Sequence, residues 1–274
     1  MRSLRVGRNN SVKASALVLL AGVALLLGTA TTTTAQEQTA EERARAQANN
    51  PLASMYALNF QNFYTPSLYG VPDQTVNTLW LRGAFPIGRT LTRASLPLAT
   101  RPLSATEAQA GLGDFNIFTA YLVVSQPTNT FGIGPLLVVP TAAEDVLGQG
   151  KWQLGAAAVA FHATRLVQVG GLITWQASIA GDSARSSTSI LAVQPFGVWQ
   201  FGGGWYFRST GIWTFDLKSR HYAMPLGFGV GKVMRAGNIV YNMFLEPQFT
   251  ILHDGTGQPK VQLFAGLHLQ FPKG

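Results

Sequence analysis

The stretch Val261-Gln262-Leu263-Phe264-Ala265-Gly266-Leu267-His268-Leu269-Gln270-Phe271 alternates without a break. Odd positions are apolar throughout, while Gln262, His268 and Gln270 mark the even side. Period two means a strand with one apolar and one polar face. Val167 to Ile179 repeats the pattern, with Val169, Ile173 and Trp175 opposed to Gln168, Thr174 and Gln176. Ile239 to Ile251 does so with Asn242, Glu246, Gln248 and Thr250 on its polar side. Trp205 to Asp216 sets Trp205, Phe207, Trp213 and Phe215 against Tyr206, Arg208, Thr210, Thr214 and Asp216. Gln153 to Phe161 and Phe131 to Val139 alternate less cleanly and read as strands buried on both faces.

The breaks between these segments alternate in length. Short ones fall near Gly88-Arg89, Ser125 to Asn129, Arg165, Gly202 to Gly204 and Ala236-Gly237. Longer polar ones run Pro66 to Thr75, Arg101 to Gly113, Thr141 to Lys151, Gly181 to Thr188, Leu217 to His221 and His253 to Pro259. About twelve strands are predicted, near 57–65, 76–87, 90–100, 114–124, 130–140, 152–164, 167–180, 189–201, 205–216, 222–235, 238–252 and 260–271, with ends good to about two to four residues. An even count with short turns at one end and long loops at the other matches a transmembrane antiparallel up-and-down β-barrel.

Composition agrees. The chain has 274 residues, 47% hydrophobic and only 12% charged, with 29 Gly, 14 Pro and no Cys. A water-facing surface uses about twice that charge. Disorder is excluded by the hydrophobicity. Thiol redox centres, iron–sulfur clusters, zinc ribbons and disulfide scaffolds are excluded by the absence of cysteine. A soluble barrel would need charges outside, whereas a membrane barrel turns its apolar face out to lipid and its polar face in. Closure pairs every backbone N–H and C=O without water. Trp80, Trp152, Trp175, Trp199, Trp205, Trp213, Tyr222 and Tyr241 fall often enough near strand ends to suggest interfacial girdles. Arg82, Arg93, Arg208 and Glu246 are assigned to the lumen, because an Arg facing lipid costs about 2–4 kcal/mol at the midplane.

The N-terminus reads as a secretory leader. Arg2, Arg5, Arg8 and Lys13 precede an uncharged stretch whose apolar part, Ala16 to Leu27, is short for a span of about 20 residues. Cleavage is expected after Ala35, giving a signal peptide at 1–35. Without those four cations the net charge falls from +8 to +4 (16 basic and 12 acidic residues), too mild to argue for nucleic acid. Residues 36–56 form a polar lead-in, helical or flexible, that either hangs in the periplasm or plugs the lumen. The last strand closes on Gln270-Phe271, a loose match to the terminal signal handed to the barrel-assembly machinery.

Four blocks carry a resemblance: Gly111-Leu112-Gly113-Asp114-Phe115-Asn116, Phe131 to Pro140, Leu147 to Gly155 and Glu246 to Gly255. They resemble the MetA-pathway-of-phenol-degradation family of bacterial outer-membrane proteins, whose members often carry the misnomer neuromedin U. The similarity runs from about Ala48 to Phe271. It implies an outer-membrane barrel passing small molecules, aromatic or hydrophobic compounds among them, and supplies no catalytic residues.

Motifs for chemistry fail on inspection. Leu147-Gly148-Gln149-Gly150-Lys151 lacks the first Gly of a phosphate loop, where Asp145 stands, and the Ser or Thr after Lys, where Trp152 stands. Gly227, Gly229 and Gly231 lie at period two on one strand face, so they leave lumen space or let a strand bend. His162, His221, His253 and His268 show no metal-ligand spacing. Glu246 should face the interior, with Arg208 or Arg82 as partner. That pair reads as a structural salt bridge or as a constriction selecting solutes.

The expected function is a passive channel for small molecules, not an enzyme, with Arg82, Arg93, Gln176, Arg208, Glu246, Gln248 and His268 lining the pore and no cofactor. Twelve strands fall between the packed eight-stranded barrel and the open porin, so a narrow or plugged pore is expected. Its partners are membrane lipids, the barrel-assembly machinery and a small-molecule solute. A second reading is a closed structural or surface-binding barrel whose loops 101–113 and 141–151 touch partners. A third is a lipid-modifying enzyme using His162 or His268 with a Ser.

Overall fold

The computed structural model describes residues 47–50, 55–104 and 106–272. The expected signal peptide and most of the lead-in lie outside them. Among the described residues the chain forms fifteen strand segments in one antiparallel sheet. They are β1 (Met55–Leu68), β2 (Val76–Ile87), β3 (Thr90–Pro102), β4 (Ala108–Leu112), β5 (Phe115–Ser125), β6 (Asn129–Val139), β7 (Lys151–Ala163) and β8 (Val167–Gly181). There follow β9 (Ser189–Gly202), β10 (Trp205–Ser209), β11 (Trp213–Asp216), β12 (Tyr222–Gly227), β13 (Gly229–Ala236), β14 (Ile239–Asp254) and β15 (Pro259–Pro272). Three pairs are single staves with a local break. β4 and β5 both pair with β3, β10 and β11 both with β9, and β12 and β13 both with β14. The result is a twelve-stave barrel, closed where β1 runs antiparallel to β15 from Met55↔Pro272 to Leu68↔Pro259.

Turn chemistry supports the meander. The β9–β10 hairpin turns on Gly203 and Gly204, both at positive φ (59° and 82°), as a type I′ turn requires. All the short turns lie at one end with the start of β1 at Met55 and the end of β15 at Pro272, and the long loops lie at the other. One predicted break is corrected. Ala108–Leu112, read as loop within Arg101 to Gly113, continues the β3 ladder from Leu98↔Leu112 to Pro102↔Ala108. The true loop there is only 103–107.

The outer surface is apolar. Leu58, Phe85, Ile133, Leu154, Ile173, Phe207, Leu245 and Phe249 stand exposed around the wall, an area that a water-soluble monomer would bury. Leu263, Trp175, Trp199 and Trp205 share that face. Trp80 does not. Its ring packs inside against the cluster of Phe63, Phe244 and Phe264, so it is no part of a girdle. It has the same parity as the lumen-facing Arg82.

The inner surface departs from the polar-inside expectation. The inward residues from β3 to β8 include Leu91, Phe118, Ala120, Leu136, Val138, Val159, Phe161 and Leu172, which form one buried apolar cluster. From β9 round through β15 to β2 the interior mixes polar and charged groups with a second apolar cluster that includes Phe63, Val198, Val233, Val240, Phe244 and Phe264. The interior thus holds two buried apolar clusters, with the charged side chains gathered beside the second.

Candidate functional site

Strand register fixes where each polar side chain stands. Arg82 on β2 is paired with Asn59 on β1 and Ser95 on β3, and Arg93 on β3 is paired with Ala84. The two arginines are thus diagonal neighbours on the inner face. His268 on β15 is paired with Asn59 and Asn242. Arg208 on β10 is paired with Gly229 on β13, and β13 lies between β10 and β14, the strand that carries Glu246.

That intervening strand explains the three glycines. A Cβ on Gly227 would collide with Oε1 of Glu246, one on Gly229 with its Cβ, and one on Gly231 with the ring and hydroxyl of Tyr206. Without those side chains, β10 reaches β14 over the top of β13. Arg208 Nε donates to Glu246 Oε2 at 2.7 Å, and Tyr206 Oη donates to Asn242 Oδ1 at 2.5 Å. The space the glycines leave is filled by these crossing contacts, and the stave also breaks at Phe228, between Gly227 and Gly229. The partner of Glu246 is Arg208, not Arg82.

Glu246 is completely enclosed, at 0% side-chain exposure, and Arg208 nearly so at 9%. A buried carboxylate needs its lone pairs filled, and four donors fill them. Besides Arg208, the Thr210 hydroxyl donates to Oε2 at 2.8 Å, the Thr210 N–H to Oε1 at 2.8 Å, and Gln248 Nε2 to Oε1 at 3.0 Å. Arg208 also donates from Nη2 to Thr210 Oγ1 at 2.9 Å, and its guanidinium lies 3.5 Å from the Phe244 ring centroid. Phe244 meets Phe264 edge-on, and Phe264 stacks on Phe63 at 4.0 Å. The break between β10 and β11 serves this network, since it turns the Thr210 N–H toward the carboxylate. Sequence reasoning missed Thr210 and Tyr206 as network members, although both share the parity of Arg208.

The described part of the lead-in lies inside the barrel. The Ala48 carbonyl accepts from Asn242 Nδ2 at 3.1 Å and Gln270 Nε2 at 2.8 Å, and Asn49 Oδ1 accepts from Asn242 at 2.8 Å. Beside it a cavity of about 170 Å³ is lined by Arg82, Arg93, Arg208, His268, Gln194, Phe118, Leu172 and Phe196, among others. Arg82 donates to Gln61 Oε1 and lies 4.8 Å from the Trp80 ring centroid. Gln61 passes the chain on to His268 Nε2 at 2.8 Å. Arg93 lies over Phe118 at 4.6 Å. Among the described residues neither Arg82 nor Arg93 has a carboxylate partner.

Of the seven residues named from sequence, Arg82, Arg93, Arg208 and His268 border this cavity together. Glu246 and Gln248 point inward but are sealed within the wall, at 0% and 1% exposure. Gln176 lies nearer the long-loop end, where it donates to Gln153 Oε1 at 3.1 Å. The histidines considered for lipid chemistry both bond to amides. His162 Nδ1 meets Asn129 Oδ1 at 2.7 Å at the short-turn end, and His268 meets Gln61.

At the long-loop end, residues 140–150 fold down onto the inner side of the β4–β5 stave. Leu147 is buried where a Cβ on Gly111 would meet it. Asp114, in the gap between β4 and β5, accepts from the N–H of Ala142 at 3.2 Å and of Gln149 at 2.6 Å. Arg185 ties in the next loop through Asp145 Oδ1 at 3.2 Å and the Gly148 carbonyl at 2.5 Å. Lys151, the lysine of the failed phosphate motif, donates its ammonium to the Asp182 carbonyl.

No protein-family model matches the sequence. No curated protein matches it either. Among solved structures the chain is similar to the COG4313 outer membrane channel from Pseudomonas putida F1, with 14% identity over 79% of this chain and 94% of that one, at a TM-score of 0.55. It is also similar to the NanC porin, with 10% identity over 79% of this chain and 100% of that one, at a TM-score of 0.51. At such identities the shared property is the fold, that of outer-membrane barrels.

Proposed function

We propose that this barrel sits in the bacterial outer membrane as a passive channel for small molecules, with a preference for anions. One observation carries the reading: a closed barrel with an apolar outer wall encloses a cavity bordered by three arginines, of which, among the described residues, only Arg208 is neutralised by a carboxylate. Ionised side chains inside a membrane protein mark solute pathways, and rings of Arg select anions. The fold shared with outer-membrane channels supports the assignment, and the four motif blocks support a place in the phenol-degradation-pathway family. The closing Gln270-Phe271 supports delivery by the barrel-assembly machinery.

The test is reconstitution of the mature protein in planar bilayers under a salt gradient. Conductance with a reversal potential on the anion side is expected, weakened in Arg82→Gln and Arg93→Gln. No conductance or solute flux, even after deletion of residues 36–56, sinks the channel. A closed barrel is the competing reading, favoured by the Ala48–Asn49 contacts inside the lumen and the infolded loop 140–150. It predicts loop-dependent partner binding with no change in permeability.

A further inference from the structure

We propose that the lumen cavity is a binding site for a small carboxylate carrying an apolar body about the size of one ring. The solute class deepens the channel reading and rests on it as far as transport goes, whereas the binding site stands by itself.

The argument starts from unmet donors. Arg208 in the same cavity has Glu246, but among the described residues Arg82 and Arg93 have only a neutral amide and aromatic faces. The Nε of each is buried without an acceptor among the described residues. Two diagonal guanidinium groups, both donors, border one side of the cavity. Buried donors left unmet are costly, and buried charges left unpaired cost more. A planar carboxylate is the natural complement of such guanidinium forks.

The opposite side asks for something else. Leu172 and Phe196, on β8 and β9, present carbon alone and belong to the apolar cluster that runs from β3 to β8 and on to β9. An inorganic anion would satisfy the arginines and leave this wall facing water. A neutral hydrocarbon would fill the wall and leave the arginines unmatched. Only a molecule with both parts meets both surfaces. Size sets the limit: an apolar cavity of about 150 Å³ holds one benzene ring, and this one measures about 170 Å³.

Calorimetric titration of the full mature chain in detergent tests the site without requiring conduction. Benzoate and cyclohexanecarboxylate should bind. Acetate, which lacks the body, and benzyl alcohol, which lacks the charge, should each bind at least about tenfold more weakly. Arg93→Gln should lower benzoate affinity by at least about tenfold, with partial recovery in Arg93→Lys. Arg82→Gln, read in the same way, carries the test if Arg93→Gln does not assemble. Phe196→Ala should weaken benzoate and leave acetate unchanged. Equal binding of benzoate and benzyl alcohol, or of benzoate and acetate, overturns the proposal. So does unaltered benzoate affinity in a folded Arg82→Gln or Arg93→Gln. Bilayer recordings separate the two readings: conduction without benzoate binding removes the site and keeps the channel, and benzoate binding without conduction does the reverse.

Discussion

Gly229 and Glu246 occupy one volume. A Cβ on Gly229 would stand 2.6 Å from the Cβ of Glu246 and 2.8 Å from the Leu245 carbonyl oxygen. The missing side chain is what lets Arg208 reach the carboxylate from the far side of an intervening strand.

Gly229→Ala should therefore destabilise the barrel by about 1–3 kcal/mol, the usual cost of overpacking. Gly197→Ala, on a strand position with nothing within 4 Å of the added carbon, should stay within about 0.5 kcal/mol. Urea unfolding in detergent, followed by tryptophan fluorescence, measures both.

Glu246→Gln removes the charge that balances Arg208 and leaves a guanidinium enclosed. A loss of about 3–5 kcal/mol is expected. The double variant Arg208→Met with Glu246→Gln should recover part of that loss, because no uncompensated charge is left in the wall. If the double variant is as unstable as the sum of its parts, the two residues do not act as a pair.

Ile173→Arg places a cation on the outer face of β8, where the native side chain is 48% exposed. Assembly should suffer by about 2–4 kcal/mol. Thr174→Arg, one residue on and facing inward, should assemble more readily. The heat-modifiable mobility shift of folded barrels reads the difference, and an equal effect at both sites would contradict the inside–outside assignment.

Asp114→Ala deletes the acceptor for two N–H groups of loop 140–150. Limited proteolysis should cut this loop faster in the variant, with the unfolding midpoint of the barrel little changed. Protection equal to that of the parent would show that Leu147 packing alone holds the loop down.

Much of the fold is legible in the residues alone. Alternation in Val261 to Phe271 and its counterparts states which side chains face one way, and the long-short punctuation counts the staves. Parity by itself puts Arg82, Arg93, Arg208, Glu246 and His268 inside. Parity also carries two subtler signals: Trp80 has the phase of Arg82, and Gly227, Gly229 and Gly231 lie in phase with each other on one face. Ala108–Leu112 is not legible, because its strand character comes from pairing with β3 and not from its own composition.

By itself, then, the chain determined the strand count, the hairpin connections and the two faces of each strand, because period two and turn chemistry are local properties of consecutive residues. Closure decided the rest. Glu246 meets Arg208 and not Arg82 because strand order and the gap over β13 bring those two together, and residues 38 apart in sequence carry no local mark of that meeting. The same holds for the apolar cluster spanning β3 to β8. Inward residues on β3 to β8 come to one wall only when the sheet curls, and only then do Arg82 and Arg93 face Leu172 and Phe196 across a shared cavity.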